Sequence, residues 1–210
     1  MALDTNWVSA WVMAAAAAVG EHKQELNTLD REIGDGDHGE NMDRGMHAAA
    51  DALAKLPGDA TPNAALRSVA MTLISTVGGA SGPLYGTAFL KAAEPVGDHA
   101  DIDGPTLVAL LGAARDGIVS RGKAEAGDKT MVDAWTPAVE AAAAAQESGA
   151  SPAEILAAAA DAAEQGAVAT EPLVARKGRA SYLGERSAGH RDPGAQSTAL
   201  ILRAAAEAAG

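Results

Sequence analysis

Residues 151–169 read SPAEILAAAADAAEQGAVA, and this stretch decides the fold class. Ser151 and Glu154 have the spacing of a capping box, in which each side chain pairs with a backbone N–H at the start of a helix. Pro152 occupies the first helical position, where its missing N–H costs nothing. The alanine run that follows is typical of a helix, because alanine is the best helix former and a poor strand residue. We therefore predict a helix over this stretch.

The same composition extends over the whole chain, in which 53 of 210 residues are alanine. Apolar residues recur at helical spacing in further segments, and none reads convincingly as a strand. The eight predicted helices cover residues 5–28, 39–56, 61–77, 83–93, 103–118, 129–147, 151–169 and 195–209. Because short connections favour antiparallel neighbours, the sequence predicts an all-α barrel or bundle of eight antiparallel amphipathic helices. We expect a single domain over residues 1–210.

Four connections between these helices have an unusual composition, rich in glycine and charge. They are residues 29–41, 78–86, 120–130 and 171–194. If successive helices run antiparallel, these four connections meet at one end of the bundle. Loops on a rigid scaffold often carry function. The sequence therefore predicts a functional site in the loops at this end.

The overall composition excludes several classes of protein. A formal net charge of −12 argues against a general nucleic-acid binder, which needs a basic face. Without cysteine, the chain has no disulfide, no cysteine-ligated zinc and no thiol chemistry. No apolar run reaches the ~18 residues of a membrane span, and Asp4 stands where a signal peptide would carry basic residues. We expect a cytoplasmic protein that contacts neither nucleic acid nor membrane.

The first of the four connections carries three closely spaced carboxylates, Asp30, Asp35 and Asp37. Carboxylates held together repel one another unless a cation neutralises them, and hard oxygen ligands suit Mg²⁺ or Ca²⁺. An EF-hand is excluded, because Gly39 and Met46 fall where that loop needs oxygen ligands. Gly39 is also predicted to open the next helix, whose free N–H groups would attract a phosphate. The alternative reading of this segment alone is a turn with a solvated acidic face.

The other connections offer complementary chemistry. The segment GGASGP at 78–83 allows close approach of the backbone to a ligand, and Ser81 could donate to a phosphate. The alternative there is an ordinary tight turn. Residues 176–186 form a basic cluster that suits a transferring phosphoryl group, or that simply pairs with nearby carboxylates. Met131 could contact a nucleobase or belong to the core.

Four motifs carry a resemblance to a known family. They are REIGDGDHGENMDRG at 31–45, GGASGPLYGTAF at 78–89, GDKTMVDAWTPA at 127–138 and ARKGRASYLGERSAGHRDPGAQST at 175–198. On these motifs the chain resembles the DhaL family, the nucleotide-binding subunits of phosphotransferase-dependent dihydroxyacetone kinases. The resemblance implies a barrel of eight antiparallel helices that holds ADP or ATP through two Mg²⁺ ions at one end.

The resemblance also implies roles for individual residues. Asp30, Asp35 and Asp37 match the Mg²⁺ ligands, and Arg179 is the catalytic residue that we expect to stabilise the transferring phosphoryl group. Glu40 is charged where the family mostly has uncharged residues. The residues that fall where the family contacts ADP are His38, Gly39, Glu40, Asn41, Ala80, Ser81, Gly122, Met131, Arg179, Asp192, Pro193 and Gly194.

By resemblance, ADP is a resident cofactor that a phosphohistidine on a multiphosphoryl-carrier subunit converts to ATP. The γ-phosphoryl then passes to dihydroxyacetone, which a separate kinase subunit holds. The implied partners are these two subunits, and we also expect a homodimer. Two alternatives stay open: an ATP-dependent kinase subunit of the same fold, and an ADP-loaded regulatory module that binds a transcription factor.

Overall fold

The computed structural model describes residues 2–210, and the predicted all-α class is confirmed over that range. Its helices are α1 (Thr5–Glu21), α2 (Lys23–Ile33), α3 (His38–Leu53), α4 (Pro62–Thr76), α5 (Ser81–Val96), α6 (Gly104–Gly122), α7 (Val132–Glu147), α8 (Pro152–Ala169) and α9 (Pro193–Glu207). A 3₁₀ segment, Arg179–Ser187, lies between α8 and α9 and is kinked at Gly184. Extended pairing in residues 2–210 is limited to one isolated bridge between Leu3 and Ile102.

The helices form a closed ring. Successive helices from α3 to α9 pack side by side, and α1 closes the ring by packing against both α9 and α3. The helix α2 continues α1 beyond a break at His22 and packs against α3 and α9. Counting α1 and α2 as one member, the ring has the eight members that the sequence predicts.

Local capping explains where several helices begin. The Thr61 hydroxyl accepts a hydrogen bond from the backbone N–H three residues further on, and the Asp103 carboxylate does the same at the start of α6. The predicted capping box of Ser151 and Glu154 is present at the start of α8. These caps pair N–H groups that a helix leaves without internal partners.

A pair of tryptophans fixes the closure of the ring. The rings of Trp7 and Trp11 stack with their centroids 5.2 Å apart, as expected for core residues. Their indole N–H groups donate to backbone carbonyls of α9, Trp7 to Ala205 at 3.2 Å and Trp11 to Ile201 at 2.8 Å. Both buried polar groups are therefore satisfied, and α1 is held in register with α9.

The helix predicted over residues 5–28 was wrong in its bounds. The structure breaks it at His22, whose φ of −91° and ψ of 9° interrupt the helix, and α2 then continues to Ile33. Gly20 lies two residues before the break, but the apolar stripe continues past it, so the pattern of apolar residues does not register the break. The predicted connection 29–41 shrinks as a result to residues 34–37.

The three other connections are also shorter than predicted, and α6 extends to Gly122, inside the connection predicted at 120–130. The helix α5 already begins at Ser81 and α9 at Pro193, so both enter the predicted loops. The connection 171–194 is in addition not irregular throughout, because it contains the 3₁₀ segment.

The four unusual connections meet at one end of the ring, where segments from all of them line a single cavity. We call this end the rim. At the opposite end, the Ile102 N–H donates to the Leu3 carbonyl at 2.9 Å and ties the N-terminal segment to the start of α6. Within residues 2–210, no helix combines the length and apolar character needed to cross a bilayer.

Candidate nucleotide and metal site

The three aspartates predicted as metal ligands lie together at the rim. One carboxylate oxygen from each of Asp30, Asp35 and Asp37 lies within 4.8 Å of the other two. Asp30, at the end of α2, is buried, whereas Asp35 and Asp37 are exposed. Glycine is required at position 34, because a Cβ there would lie 2.1 Å from Asp30 Oδ1. Three hard oxygen donors converging in this way fit Mg²⁺.

A cation already reaches this carboxylate cluster from the 3₁₀ segment. Arg179 Nη2 lies 3.1 Å from Asp35 Oδ2, and the arginine side chain is 70% exposed. An exposed guanidinium can exchange one anionic partner for another at little cost. Arg179 is therefore placed where it could contact a phosphoryl group bound at the same cluster.

The start of α3 differs from the prediction, because N–H groups expected to be free are already paired. The backbone N–H groups of Asp37 and His38 donate to Asp30 Oδ2 at 2.9 and 3.2 Å. The Glu40 N–H donates to Asn27 Oδ1 at 3.1 Å. These contacts fix the Asp30 carboxylate, but they leave the first turn of α3 with fewer donors for an anion.

Two residues predicted to contact the nucleotide lie outside the cavity lining. Gly39 is pressed against α2, since a Cβ at this position would lie 2.1 Å from the Lys23 carbonyl oxygen. The Glu40 carboxylate lies 3.7 Å from Nζ of the same residue of α2, Lys23. The structure thus places both residues at the contact between α2 and α3.

The start of α5 is open to the cavity. Residues 78–81 line it, and no side chain caps this helix. Gly79 has a φ of +66°, which favours glycine, and a Cβ at Gly78 would lie 2.7 Å from Asn41 Oδ1. Uncapped N–H groups at the positive end of a 16-residue helix provide a site for an anion such as phosphate.

Two adjoining cavities occupy the rim. The first, of about 200 Å³, contains the carboxylates and the start of α5. The second, of about 330 Å³, has an apolar lining that includes Pro83, Leu84, Ile118 and Val132. Together they reach the range of ~300–1,000 Å³ that is usual for small-molecule sites. The polar cavity suits phosphates, and the apolar one suits a nucleobase.

Most of the predicted site residues line one of these cavities. The first is lined by Asp30, Asp35, Asp37, His38, Asn41, Ala80, Ser81, Met131, Arg179, Asp192, Pro193 and Gly194. Gly122 lines the second, together with Ala80 and Met131, which are common to both. Met131 is buried and lies between the cavities, so its two predicted roles, in the core and beside a ligand, are compatible.

Sequence reasoning did not single out Lys129, which lines the first cavity together with Lys177 of the predicted basic cluster. Lys129 is 1% exposed, and its Nζ donates to the carbonyls of Thr170, Glu171 and His190. It therefore ties the α6–α7 connection to the α8–α9 connection. Its place in the motif GDKTMVD was the only sequence signal, because a lysine in a loop usually lies in solvent.

Burial shifts the protonation equilibria of several groups at the rim. It lowers the pKa of His38 to about 4, so this ring is neutral at neutral pH. Burial raises the pKa of Asp30, against hydrogen bonds from the N–H groups of Asp37 and His38 that lower it. Burial also raises the pKa of Asp192 to about 7. A bound cation would offset the cost of keeping Asp30 ionised.

Comparison with known proteins identifies the family. The DAK2 domain family matches residues 32–207, and the chain belongs to that family. It is 43% identical over 211 residues to the ADP-binding subunit DhaL of the PEP-dependent dihydroxyacetone kinase of Escherichia coli (strain K12), covering 100% of this chain and 99% of that one. It is 45% identical to the corresponding subunit of kinase 1 of Listeria innocua, covering 97% and 96%. The resemblance seen in the motifs is thereby confirmed.

A solved structure extends the similarity to the fold. The dihydroxyacetone kinase of C. freundii, crystallised with AMP-PNP and Mg²⁺, superposes with a TM-score of 0.73 at 27% identity. The alignment covers 99% of this chain but 34% of that kinase, so this chain spans about a third of its length. The shared third is the helical ring described above.

Proposed function

We propose that this chain is the ADP-binding subunit of a PEP-dependent dihydroxyacetone kinase. The observation that carries the proposal is the cavity at the rim, where Asp30, Asp35 and Asp37 face the open start of α5. Carboxylates for Mg²⁺ beside uncapped N–H groups are the two elements that recognise a diphosphate. The match to nearly the whole length of the DhaL subunits supports the same function.

In the proposed reaction, a phosphoryl group passes from a phosphohistidine on a carrier subunit to ADP held at the rim. It then passes to dihydroxyacetone on a separate kinase subunit. Both partners must approach the rim, since the cavity opens there. The chain itself contributes positioning and electrostatic stabilisation, which are the main components of catalysis in phosphoryl transfer.

Residues at different places on the rim would have different roles in this reaction. The three aspartates would hold Mg²⁺, two ions in our proposal, and the metal would neutralise charge on the phosphates. Residues 79–81 would bind phosphate oxygens through backbone N–H groups and the Ser81 hydroxyl. Gly122 and Met131 would contact the base in the apolar cavity. Arg179 would leave Asp35 to stabilise the transferring phosphoryl group.

The metal and nucleotide assignments are tested together by Asp35→Ala. This variant should lose Mg²⁺-dependent ADP binding in calorimetry and keep its helicity in circular dichroism. Asp51→Ala is the matched control, because Asp51 is an exposed carboxylate on α3 outside the cavity lining. Unchanged ADP affinity in the Asp35→Ala variant would refute the metal assignment.

The phosphoryl donor is tested by reconstitution with a dihydroxyacetone-binding subunit. Turnover that needs PEP and a phosphohistidine carrier supports the proposed function. Turnover with ATP alone, under exchange of bound nucleotide, would instead identify an ATP-dependent kinase subunit. A chain that supports no turnover but binds a transcription factor when loaded with ADP would be a regulatory module.

Several expectations from the sequence stay predictions alongside this proposal. They are the homodimer, a transcription factor as a further partner, a cytoplasmic location and a single domain over residues 1–210. Sedimentation of the purified chain measures the first of these directly.

A further inference from the structure

A series of hydrogen-bonded polar side chains runs behind the rim cavity from Tyr85 on α5, through α9 and α3, to the start of α5. The Tyr85 hydroxyl lies 2.7 Å from Ser197 Oγ, which in turn lies 2.9 Å from His38 Nε2. On the other side of the imidazole, His38 Nδ1 lies 3.3 Å from Ser81 Oγ. Tyr85 and Ser197 are fully buried, whereas Ser81 lines the cavity. A buried phenol is thus linked to a hydroxyl at the candidate phosphate site.

The available acceptors indicate the direction of the first hydrogen bonds. The Gly194 carbonyl is the helical acceptor for the Thr198 N–H, and it also accepts the Thr198 hydroxyl at 2.9 Å. The Tyr85 and Ser197 hydroxyls also lie within reach of this carbonyl, each at 3.1 Å, but the nearer Thr198 hydroxyl occupies its second lone pair. Of the other contacts of the Tyr85 hydroxyl, Ser197 Oγ at 2.7 Å is closer than Thr198 Oγ1 at 2.9 Å. A phenol is the more acidic of the two hydroxyls, so Tyr85 donates. The Ser197 hydroxyl is then left to donate to the histidine ring.

The histidine transmits this direction to the cavity. A neutral imidazole has one donor and one acceptor nitrogen. If Nε2 of His38 accepts from Ser197, the proton resides on Nδ1 and is donated to Ser81 Oγ. The Ser81 hydroxyl hydrogen is then free to point at an anionic oxygen in the cavity. With the opposite tautomer, Ser81 would donate to the ring and present only lone pairs to the cavity.

We propose that Tyr85 is a positioning residue for nucleotide binding. Acting through Ser197 and His38, it keeps the Ser81 hydroxyl available as a donor to a phosphate oxygen. This inference rests on the proposed function, because the acceptor is the phosphate of the bound nucleotide.

The first test is the tautomer of His38 in nucleotide-free protein, read from ¹⁵N NMR of the labelled ring. The wild-type ring should carry its proton on Nδ1. In Tyr85→Phe, Ser197 loses its donor and should accept from the ring, so the proton should move to Nε2. Tyr182→Phe is the matched control, because the Tyr182 side chain is 88% exposed. A wild-type proton on Nε2, or no change in Tyr85→Phe, would overturn the inference.

The second test is a double-mutant cycle on the affinity for ADP with Mg²⁺. Ser81→Ala should weaken binding at least about tenfold, and Tyr85→Phe about fivefold, as expected for losing a hydrogen bond to a charged group. If Tyr85 acts through Ser81, the second substitution should change affinity less than about twofold in the Ser81→Ala background. Independent, additive effects would leave Tyr85 a purely structural role and refute the proposal.

The two tests also separate this inference from the proposed function. A wild-type chain that binds no ADP with Mg²⁺ would refute the function, whereas binding with an additive cycle would refute only the role of Tyr85. Ser197→Ala interrupts the series of hydrogen bonds at the residue after Tyr85, and its effect is measured in the same cycle. A Tyr85→Phe variant that failed to fold would therefore leave the test standing.

Discussion

Replacing Lys129 by methionine removes a buried ammonium and keeps a side chain of similar length. In the structure, Lys129 Nζ donates to the carbonyls of Thr170 at 2.7 Å, Glu171 at 3.3 Å and His190. All three ammonium hydrogens are thereby used. These hydrogen bonds hold together two of the connections that form the rim, so we expect the substitution to destabilise this end of the ring.

The expected loss follows from the groups that the substitution leaves behind. The Thr170 and Glu171 carbonyls keep backbone donors, the N–H groups of Leu173 at 3.1 Å and Gly189 at 2.7 Å, whereas the His190 carbonyl loses its donor. A buried carbonyl without a donor costs ~1–3 kcal/mol, and hydrogen bonds from a charged group contribute ~1.5–3 kcal/mol each. Burial lowers the pKa of Lys129, which shows that its charge is itself held at a cost. Removing this cost offsets part of the loss. We expect a net decrease of about 2–3 kcal/mol in the free energy of unfolding, since breaking a buried charged contact costs more than a surface one.

Urea denaturation of the nucleotide-free protein measures this loss. A decrease of about 2–3 kcal/mol corresponds to a fall in Tm of roughly 4–12 °C for a chain of this size. Lys55→Met is the control, because Lys55 is exposed, and it should stay within about 0.5 kcal/mol of wild type. If Lys129→Met were as stable as Lys55→Met, the reasoning that this lysine holds the rim together would be refuted.

Three further predictions concern the same end of the ring. Gly39→Ala should lower the free energy of unfolding, measured in urea, by roughly 1–3 kcal/mol, because its Cβ would lie 2.1 Å from the Lys23 carbonyl oxygen. Gly58→Ala is the control, because a Cβ at Gly58 would have no atom within 4 Å. The His38 ring should stay neutral in the folded protein down to its pKa of about 4, whereas in the unfolded chain it takes up a proton near its ordinary pKa of 6.5. The free energy of unfolding should therefore fall as the pH drops from 6.5 towards 4. Protonation near pH 6.5 in an NMR titration of the folded protein would contradict this. Arg179→Ala should lower kcat of a reconstituted kinase roughly 10²–10³-fold and retain ADP, and an unchanged kcat would remove Arg179 from catalysis.

The fold could be predicted from the sequence because its signals are local. Thr61, Asp103 and Ser151 cap helices through contacts that span three residues, and each lies where the sequence predicts a helix to start. The meeting of four connections at the rim followed from antiparallel packing alone. The break at His22 could not be predicted, because it changes the backbone without changing the pattern of apolar residues.

The site could be predicted less completely, because side-chain direction depends on the packed helices. The segment 30–37 correctly brings three carboxylates together, but the sequence gives no sign that Gly39 and Glu40 face α2. The burial of Lys129 depends on carbonyls some 40 and 60 positions further along the chain. The link from Tyr85 to Ser81 likewise runs through residues of three helices, α5, α9 and α3.

The resident nucleotide is tested most directly by denaturing purified protein to which no nucleotide has been added and identifying what is released. We expect ADP or ATP near one molecule per chain, accompanied by Mg²⁺, and the loss of both from Asp35→Ala. An empty protein that binds ATP reversibly would favour the ATP-dependent alternative. A protein that releases no nucleotide and binds neither ADP nor ATP with Mg²⁺ would contradict the nucleotide site itself.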